Sequence, residues 1–201
     1  MNDTTRTAVL NTARRAFSDK GYRGASIRDI TRDAGVNLGA VTYHFGSKEG
    51  LYNAVLEETL RPFRDVLTET AQAADKPLDG ISDLLRVFFE YLIDHPEIPR
   101  LMLQTMVSEM DPPPPVKEAM QGNIGLLAGL IARGQADGSI RAGDPMLMAI
   151  ATGSQPIFMA LVRTLLTNVM KLDQMDPETR ERLITNSTEF VRRGLAAEEQ
   201  R

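Results

Sequence analysis

The chain of 201 residues has no cysteine, no tryptophan, two histidines and only 5% aromatic residues. Without cysteine there is no disulfide framework, no zinc–thiolate site and no thiol chemistry. His44 and His95 are the only imidazoles, and no His-x-x-x-His pair, Gly-rich phosphate loop or nucleophile elbow occurs. His95, in Asp94-His95-Pro96, falls at a predicted helix C-terminus, where an imidazole serves as a cap or surface group. No catalytic residue, metal ligand or cofactor is therefore expected, and the chain does not read as an enzyme. No apolar run approaches the ~18 residues needed to span a bilayer. The opening MNDTTRTAVLNTARRAF lacks the basic segment and apolar run of a signal peptide. No membrane partner and a cytoplasmic location are the expectations. The polar–apolar alternation of strands is missing too, as is any repeat; the one low-complexity tract is the four prolines at 112–115.

Charge of one sign is also in short supply. The net charge is −4, which argues against coating nucleic acid through a bulk positive field. The distribution is uneven. Residues 1–50 carry eight bases against five acids, a net of +3, and the remainder carries fifteen bases against twenty-two acids, −7. A mildly basic head on an acidic body suits a small polyanion-binding module with a different task behind it.

What is present is helical periodicity. Val9, Leu10, Ala13, Ala16 and Phe17 recur at i, i+3, i+4 spacing, with Gly21 as a stop. Ser26-Ile27-Arg28-Asp29 has the form of a capping box opening a helix to Ala34, and Gly35 suits the left-handed position that ends it. Asn37 is placed to cap a helix over 38–44. Ser47 is placed to cap another, with Glu49 in its first turn and an apolar stripe of Leu51, Val55, Leu60, Phe63 and Val66 running to about residue 73. Further helices are expected at 78–94, 97–110, 116–136, 145–170 and 178–196, separated by breaks rich in Pro, Gly and Asp. The fold class is all-α, about nine helices: a three-helix head at 1–46 and a larger helical bundle at 47–201.

Two short helices joined by Gly35-Val36-Asn37 describe a helix-turn-helix, whose second helix lies in the major groove with its N-terminal residues at base edges. Phe17, Ile30, Val36, Val41 and Phe45 are the expected core of this head. Ser26, Asn37 and Ser47 can be caps alone or caps that also meet DNA, and Arg14, Arg15 and Arg32 can be ordinary solvated charges.

The run T-R-x-A-V-L-N-T-A-R-R-A-F-S-D-K-G-Y-R-G-A-S-I-R-D-I, followed by A-G-V-N-L-G-A-V-T-Y-H-F-G-S-K-E-G-L-Y, resembles the N-terminal signature of the tetracycline-repressor (TetR) family over about residues 6–56. Beyond it the likeness is one of helix layout, with the Gly138, Ile140, Arg141, Asp144, Pro145 run. The resemblance implies a dimeric regulator that binds an inverted-repeat operator in double-stranded DNA, usually a repressor released by a small-molecule effector. It places Arg28 in the major groove, where Arg pairs bidentately with guanine. Leu38, Gly39, Ala40 and Thr42 become the recognition surface; Leu38 and Ala40, lacking hydrogen-bonding side chains, suit a thymine methyl. Tyr43, His44, Ser47 and Lys48 match the phosphate-contacting end, and Ser26 and Asn37 flank the unit. Two positions depart from the family pattern: Thr42 stands where Tyr is usual, and Thr31 where Ala is usual.

Nine of the ten methionines lie beyond residue 100, and Met suits adaptable apolar sites. Phe88, Phe89, Tyr91, Met102, Met106, Phe158 and Met159 are the expected lining of an effector pocket; plain bundle core is the competing reading. Ile157, Leu161, Thr164, Leu165, Leu183 and Phe190 are expected at a homodimer interface built from the last two helices. Pro62 inside the fourth helix is either part of a signalling lever or a static break. Gly122, Gly125 and Gly129 on a helix suggest close approach of another helix or a ligand. The alternative to the regulator is a helical ligand-binding or interaction protein with no specific DNA binding.

Overall fold

The computed structural model describes residues 2–96, 98–99, 103 and 111–197. Its helices with defined bounds are α1 (Asn2–Gly24), α2 (Ile27–Asp33), α3 (Gly39–Phe45), α4 (Lys48–Ala73), α5 (Pro77–Asp94), α6 (Pro114–Asp137), α7 (Pro145–Leu161), α8 (Arg163–Asn168) and α9 (Pro177–Leu195). The expected helix over 97–110 lies outside the described residues, except for isolated positions. No strand occurs among the described residues beyond one isolated bridge between Ile140 and Ala196. None of their helices is long and apolar enough to cross a membrane. The chain divides into two compact units, one holding α1–α3 and α4 as far as Arg61, the other holding α4 from Pro62, α5, most of α6 and α7–α9.

In the first unit the apolar positions do what their spacing dictates. Val9, Leu10, Ala13 and Phe17 of α1, Ile30 of α2, Val41 of α3 and Leu51, Val55 and Leu56 of α4 are buried together. Tyr52 meets the Phe17 ring edge-on at 4.8 Å and the Tyr22 ring at 5.0 Å. Val36 and Phe45, expected in this core, are only half-buried. Thr31 is buried in the packing, where a hydroxyl would be unfavourable if left unbonded. Its Oγ1 donates within its own helix, toward the Ile27 and Arg28 carbonyls at 2.9 and 3.1 Å. Gly21 sits at φ 68°, ψ 174°, so helical geometry in α1 stops there as expected.

In the second unit α5 is the central element, with Ile81, Leu84, Leu85, Phe88, Phe89, Leu92 and Ile93 all buried. It packs against α9, which buries Ile184, Ser187, Val191 and Leu195. Ion pairs at the two ends, Arg192–Asp79 at 2.6 Å and Arg180–Asp94 at 2.9 Å, make the two helices antiparallel. Arg86 grips Glu181 with both guanidinium nitrogens at 2.8 Å. The Asp-Pro breaks of the sequence are helix starts: Asp144 accepts from the Met146 and Leu147 amides, Asp176 accepts from Thr179, and each following proline occupies the first helical position. The loop leading to α7 is tied to the end of α9, Arg141 N–H donating to Leu195 and its Nε to Gly194 at 2.7 Å.

Three expectations change. The single helix over 145–170 is two, because Val162 at φ −89°, ψ 11° departs from helical geometry. Helix α4 continues through Pro62, so a static break is not what the proline makes. Gly122, Gly125 and Gly129, each weakening a helix by about 1 kcal/mol relative to Ala, have no close neighbour among the described residues: apart from the helix's own backbone, nothing described lies within 4 Å of a Cβ built on any of them.

The α5–α9 pairs set an acid limit. Hydrogen bonds from Arg86, then Thr185, lower the Glu181 carboxyl to about 2 from its ordinary 4.5. The Arg180 guanidinium holds Asp94 below its usual range in the same way. A carboxyl depressed in the folded state adds stability that is complete above its unfolded pKa and is lost as pH falls toward its folded one. Glu181→Gln is therefore expected to lower the denaturation midpoint at pH 7, by an amount that shrinks steadily as pH falls from about 4.5 through the folded value near 2, measured by urea titration across that range.

Candidate nucleic-acid interface

Helix α2 ends in a Schellman motif. Val36 N–H reaches the Thr31 carbonyl at 3.0 Å and Gly35 N–H the Arg32 carbonyl at 3.1 Å, with Gly35 at φ +68° as the left-handed residue the motif needs. Asn37 then starts α3. Its Oδ1 accepts the Ala40 amide at 3.0 Å, and a Cβ on Gly39 would press on that same oxygen at 3.3 Å, so a larger residue would crowd the cap. Ser26 stands at the start of α2 but makes no side-chain cap bond. The expected capping box there is not formed, which leaves its hydroxyl available.

Helix α3 joins α4 through a γ-turn. Gly46 adopts φ 74°, ψ −47°, a conformation suited to glycine, and the Ser47 amide donates to the Phe45 carbonyl at 2.8 Å. Ser47 Oγ accepts from Gly50 N–H at 3.0 Å, the cap read from sequence. The Phe45 carbonyl also lies directly where a Cβ on Gly50 would be. Only glycine lets the first turn of α4 come this close to the end of α3, and nothing in the hydrophobic pattern signals that. The Arg6 guanidinium lies 5.6 Å from the centre of the Phe45 ring and pairs with Glu58 at 3.0 Å, so α1, α3 and α4 meet at one residue.

The face left open by this packing carries most of the expected site. Arg28, Asn37, Leu38, Gly39, Thr42, Tyr43 and Ser47 are exposed, Tyr43 to 74%. Ser26, Ala40, His44 and Lys48 are half-buried. Tyr43 sits edge-on to His44 at 4.9 Å. Lys48 lies 4.9 Å from the Tyr22 ring and donates toward the Arg23 carbonyl at 3.5 Å, with two ammonium protons still to offer.

The cations of the head fall into two groups. Arg32 is held by Asp29 and Asp33, and Arg6 and Arg14 by Glu58. Arg15, Lys20, Arg23 and Arg28 are exposed, with no acidic partner given by the ion pairs of the described residues. Arg23 was not singled out by its sequence position; only its place beside Lys48 draws it in. The bases that sequence alone could treat as simple solvated charge thus separate, Arg14 and Arg32 being internally neutralised.

The other expected sites sort less cleanly. In the second unit a cavity of about 10 Å³ is lined by Leu67 of α4, Leu84, Leu85 and Phe88 of α5, and Asn123 and Leu127 of α6. Of the expected pocket residues, Phe88 is there. Phe89 is buried away from it, Tyr91 stacks between Phe63 at 4.6 Å and His95 at 4.2 Å, and the Met159 carbonyl accepts from Gln174. Phe158 is 60% exposed because it shares a helix face with surface residues of α7. Met102 and Met106 lie outside the described residues. No described methionine lines the cavity; leucine does. Of the expected dimer residues, Thr164, Leu165 and Phe190 are exposed and Ile157, Leu161 and Leu183 half-buried. Leu147 and Ile150 extend the exposed apolar face toward the start of α7.

The Gly50 contact makes a sharp test. Gly50→Ala is expected to destabilise the head by about 1–3 kcal/mol through overpacking, while Arg6→Ala, which loses a partly exposed ion pair, is expected to cost less than about 1 kcal/mol. Urea unfolding followed by tyrosine fluorescence checks both, since Tyr22, Tyr43 and Tyr52 all lie in this unit.

Comparison with known proteins agrees with this geometry. Residues 9–55 match the family described as bacterial regulatory proteins, tetR family, and residues 77–191 match the tetracyclin repressor-like C-terminal domain. The chain is 26% identical over 203 residues to the transcriptional repressor NicS of Pseudomonas putida, covering 96% of this chain and 93% of that protein. It is 38% identical over 64 residues to the repressor AcnR of Corynebacterium glutamicum, a match confined to 32% of this chain and 34% of that one. The fold is shared with the regulator FadR of Bacillus subtilis, solved in complex with stearoyl-CoA: TM-score 0.76 at 18% identity, covering 94% of this chain and 98% of that one. With both parts of the chain matched and its helix-turn-helix intact, the protein belongs to the tetR family of bacterial regulatory proteins and is a DNA-binding transcriptional regulator, not an enzyme.

Proposed function

We propose that the protein is a homodimeric cytoplasmic repressor that holds an inverted-repeat operator through residues 1–46 and releases it when a small, mostly apolar effector enters the bundle of residues 47–201. The observation that carries the DNA reading is Arg28: an exposed guanidinium on α2, with no acidic partner among the ion pairs of the described residues, in the same helix-turn-helix as the open surface of α3. A guanidinium in that state is a ready bidentate donor for guanine O6 and N7. Leu38 and Ala40 supply apolar contact suited to a thymine methyl, and Gly39 and Thr42 keep the surface low enough for base edges to approach. Tyr43, bare at 74%, takes the outward role that a tyrosine at position 42 would have.

Phosphates are held around the start of α4. Ser47 Oγ is used as an acceptor by Gly50, but its proton remains to donate, and the helix N-terminus favours an anion. Lys48, Arg23 and His44 add donors at the same end. Ser26 and Asn37 bracket the unit, one hydroxyl unspent and one amide nitrogen free of the cap. These contacts fix register, and those of Arg28 and α3 set preference.

Dimer formation is supported by the exposed apolar face of α7–α9. Leu165 is 52% and Phe190 71% exposed, with Ile157, Leu161, Thr164 and Leu183 on the same three helices; exposed apolar groups of this size suit an association surface, and two-fold pairing makes such a surface self-complementary. Pairing also presents two heads to half-sites roughly 34–36 Å apart, or a multiple of that. Effector release rests on family membership and on the small cavity of the second unit.

Selection of bound duplexes from a random pool tests the DNA reading. A palindrome containing a guanine is expected, and Arg28→Ala is expected to lose ~1–3 kcal/mol and to stop demanding that guanine, whereas Lys48→Ala weakens all sequences alike and lowers the salt slope by about 1. No enriched sequence at low salt would sink it in favour of a helical ligand-binding protein. For the dimer, Phe190→Glu is expected to shift the mass in sedimentation from twice 22.2 kDa to 22.2 kDa, and an unshifted mass would place the interface elsewhere.

A further inference from the structure

The cavity in the second unit has one polar residue in its wall. Leu67, Leu84, Leu85, Phe88 and Leu127 are hydrocarbon, and Asn123 lines it with them. Asn123 Oδ1 is buried and has no hydrogen-bond partner. Buried amides are almost always bonded, so an orphan of this kind calls for an explanation. Ordered water does not supply one. The space, about 10 Å³, is near the lower limit for a single water, and a buried water needs two to four polar partners, of which the named lining offers Asn123 alone.

The wall that carries Asn123 is also the one built to yield. Gly122 and Gly125 flank it on α6 and Gly129 follows a turn later, and apart from the helix's own backbone no described atom lies within 4 Å of a Cβ placed on any of the three. Glycines in a helix interior weaken it, and among the described residues nothing beyond the helix's own turns lies against these three positions, so no described contact is lost there when this stretch shifts outward. The opposite wall is α5, whose buried side chains and ion pairs to α9 hold it in place.

We infer that Asn123 is the polar anchor of the effector site, and that the effector is an apolar molecule whose uncharged hydroxyl or amide end bonds to Asn123 while α6 shifts at its glycines to admit the body. This rests on the effector-release reading above and names the chemistry that reading leaves open. An ionised end group is disfavoured, because none of the named wall residues is ionisable and an unpaired charge would be left in hydrocarbon. A hydroxyl suits best, since it can donate to Oδ1 or, with the amide turned over, accept from Nδ2.

The test uses two probes that differ by one hydroxyl, benzyl alcohol and toluene, titrated into the full-length protein by calorimetry. The wild type is expected to prefer benzyl alcohol roughly five- to tenfold, the worth of one neutral hydrogen bond. Asn123→Leu is expected to lose or invert that preference, and in the absence of probe to unfold at a higher urea concentration than wild type, because the orphaned acceptor is gone. Asn123→Ser, which keeps a small polar group but not its reach, is expected to lose the preference too, and serves if the leucine variant does not fold. Equal affinity of the wild type for the two probes, no binding of either, or a preference that survives both substitutions would overturn the proposal. Operator release is followed in parallel by fluorescence anisotropy. Benzyl alcohol bound in an Asn123-dependent way without release keeps the anchor and removes the effector-release reading. Release that is equal in wild type and Asn123→Leu does the reverse.

Discussion

The carbonyl of Phe45 is the point on which the DNA-binding unit turns. It accepts the amide of Ser47 to close a γ-turn, and it occupies the space a Cβ on Gly50 would take. These two constraints set the end of α3 against the start of α4 with no freedom for a side chain between them. The Phe45 ring on the same residue faces Arg6, which reaches on to Glu58. A seven-residue helix has little intrinsic stability, so α3 depends on such external fixing: the Schellman end of α2 before it, Asn37 at its start and the glycine turn after it. The residues that would touch DNA are held by backbone geometry rather than by a large core of their own.

Charge follows the same economy. Where a head cation has a structural task it is matched, Arg32 with Asp29 and Asp33, Arg6 and Arg14 with Glu58. Arg28 and Arg23 have no such match among the described residues, and a cation that has not been spent inside the protein can release counterions when it meets phosphate. In the second unit the matched pairs Arg86–Glu181, Arg180–Asp94 and Arg192–Asp79 instead brace α5 against α9. Exposed pairs of this kind add little stability each at neutral pH, but their spacing selects one antiparallel register for two apolar faces that could otherwise slide.

Helix positions were legible because the period of the apolar residues is a local property. Gly35, Asn37 and Ser47 announced their turns and caps for the same reason: the residue type and the required dihedral or acceptor coincide within four positions of chain. The break at Val162 was not legible, since β-branched and apolar residues continue the stripe on both sides. The Gly50 contact was hidden because a glycine three residues into a helix looks like a weak choice until the Phe45 carbonyl is placed beside it. Of the methionines expected at a pocket, Met102 and Met106 lie outside the described residues, and the described cavity is lined by leucines with Phe88 and Asn123: composition counts residues, and the face each one occupies is settled by helix pairing. Of the proposed DNA-contacting residues, Asn37 and Ser47 keep the cap roles their types announced, and the exposure of Arg28, Leu38 and Thr42 follows from the face that the packing of α1 and α4 leaves open.

Buried polar groups divide the molecule by purpose. Thr31 and Thr59 are buried and each hands its hydroxyl to a carbonyl of its own helix, Thr59 to Val55 at 2.7 Å. They are closed accounts, and swapping either for an apolar residue of like shape changes packing more than polarity. Gln174, 2% exposed, is half-used: its Nε2 pins Met159 and its Oε1 is left over, which suits a segment held in place at one point. Asn123 is different, because the orphaned oxygen belongs to a residue that lines a cavity, on the helix whose three glycines have no close neighbour among the described residues. An amide left unsatisfied in hydrocarbon lowers the stability of the empty state relative to any state that bonds it. A ligand that completes that bond gains affinity from the strain it relieves, and it favours the arrangement of α6 that admits it. Polar groups satisfied by their own helix make scaffold; the one left open on a yielding wall gives the bundle a reason to respond.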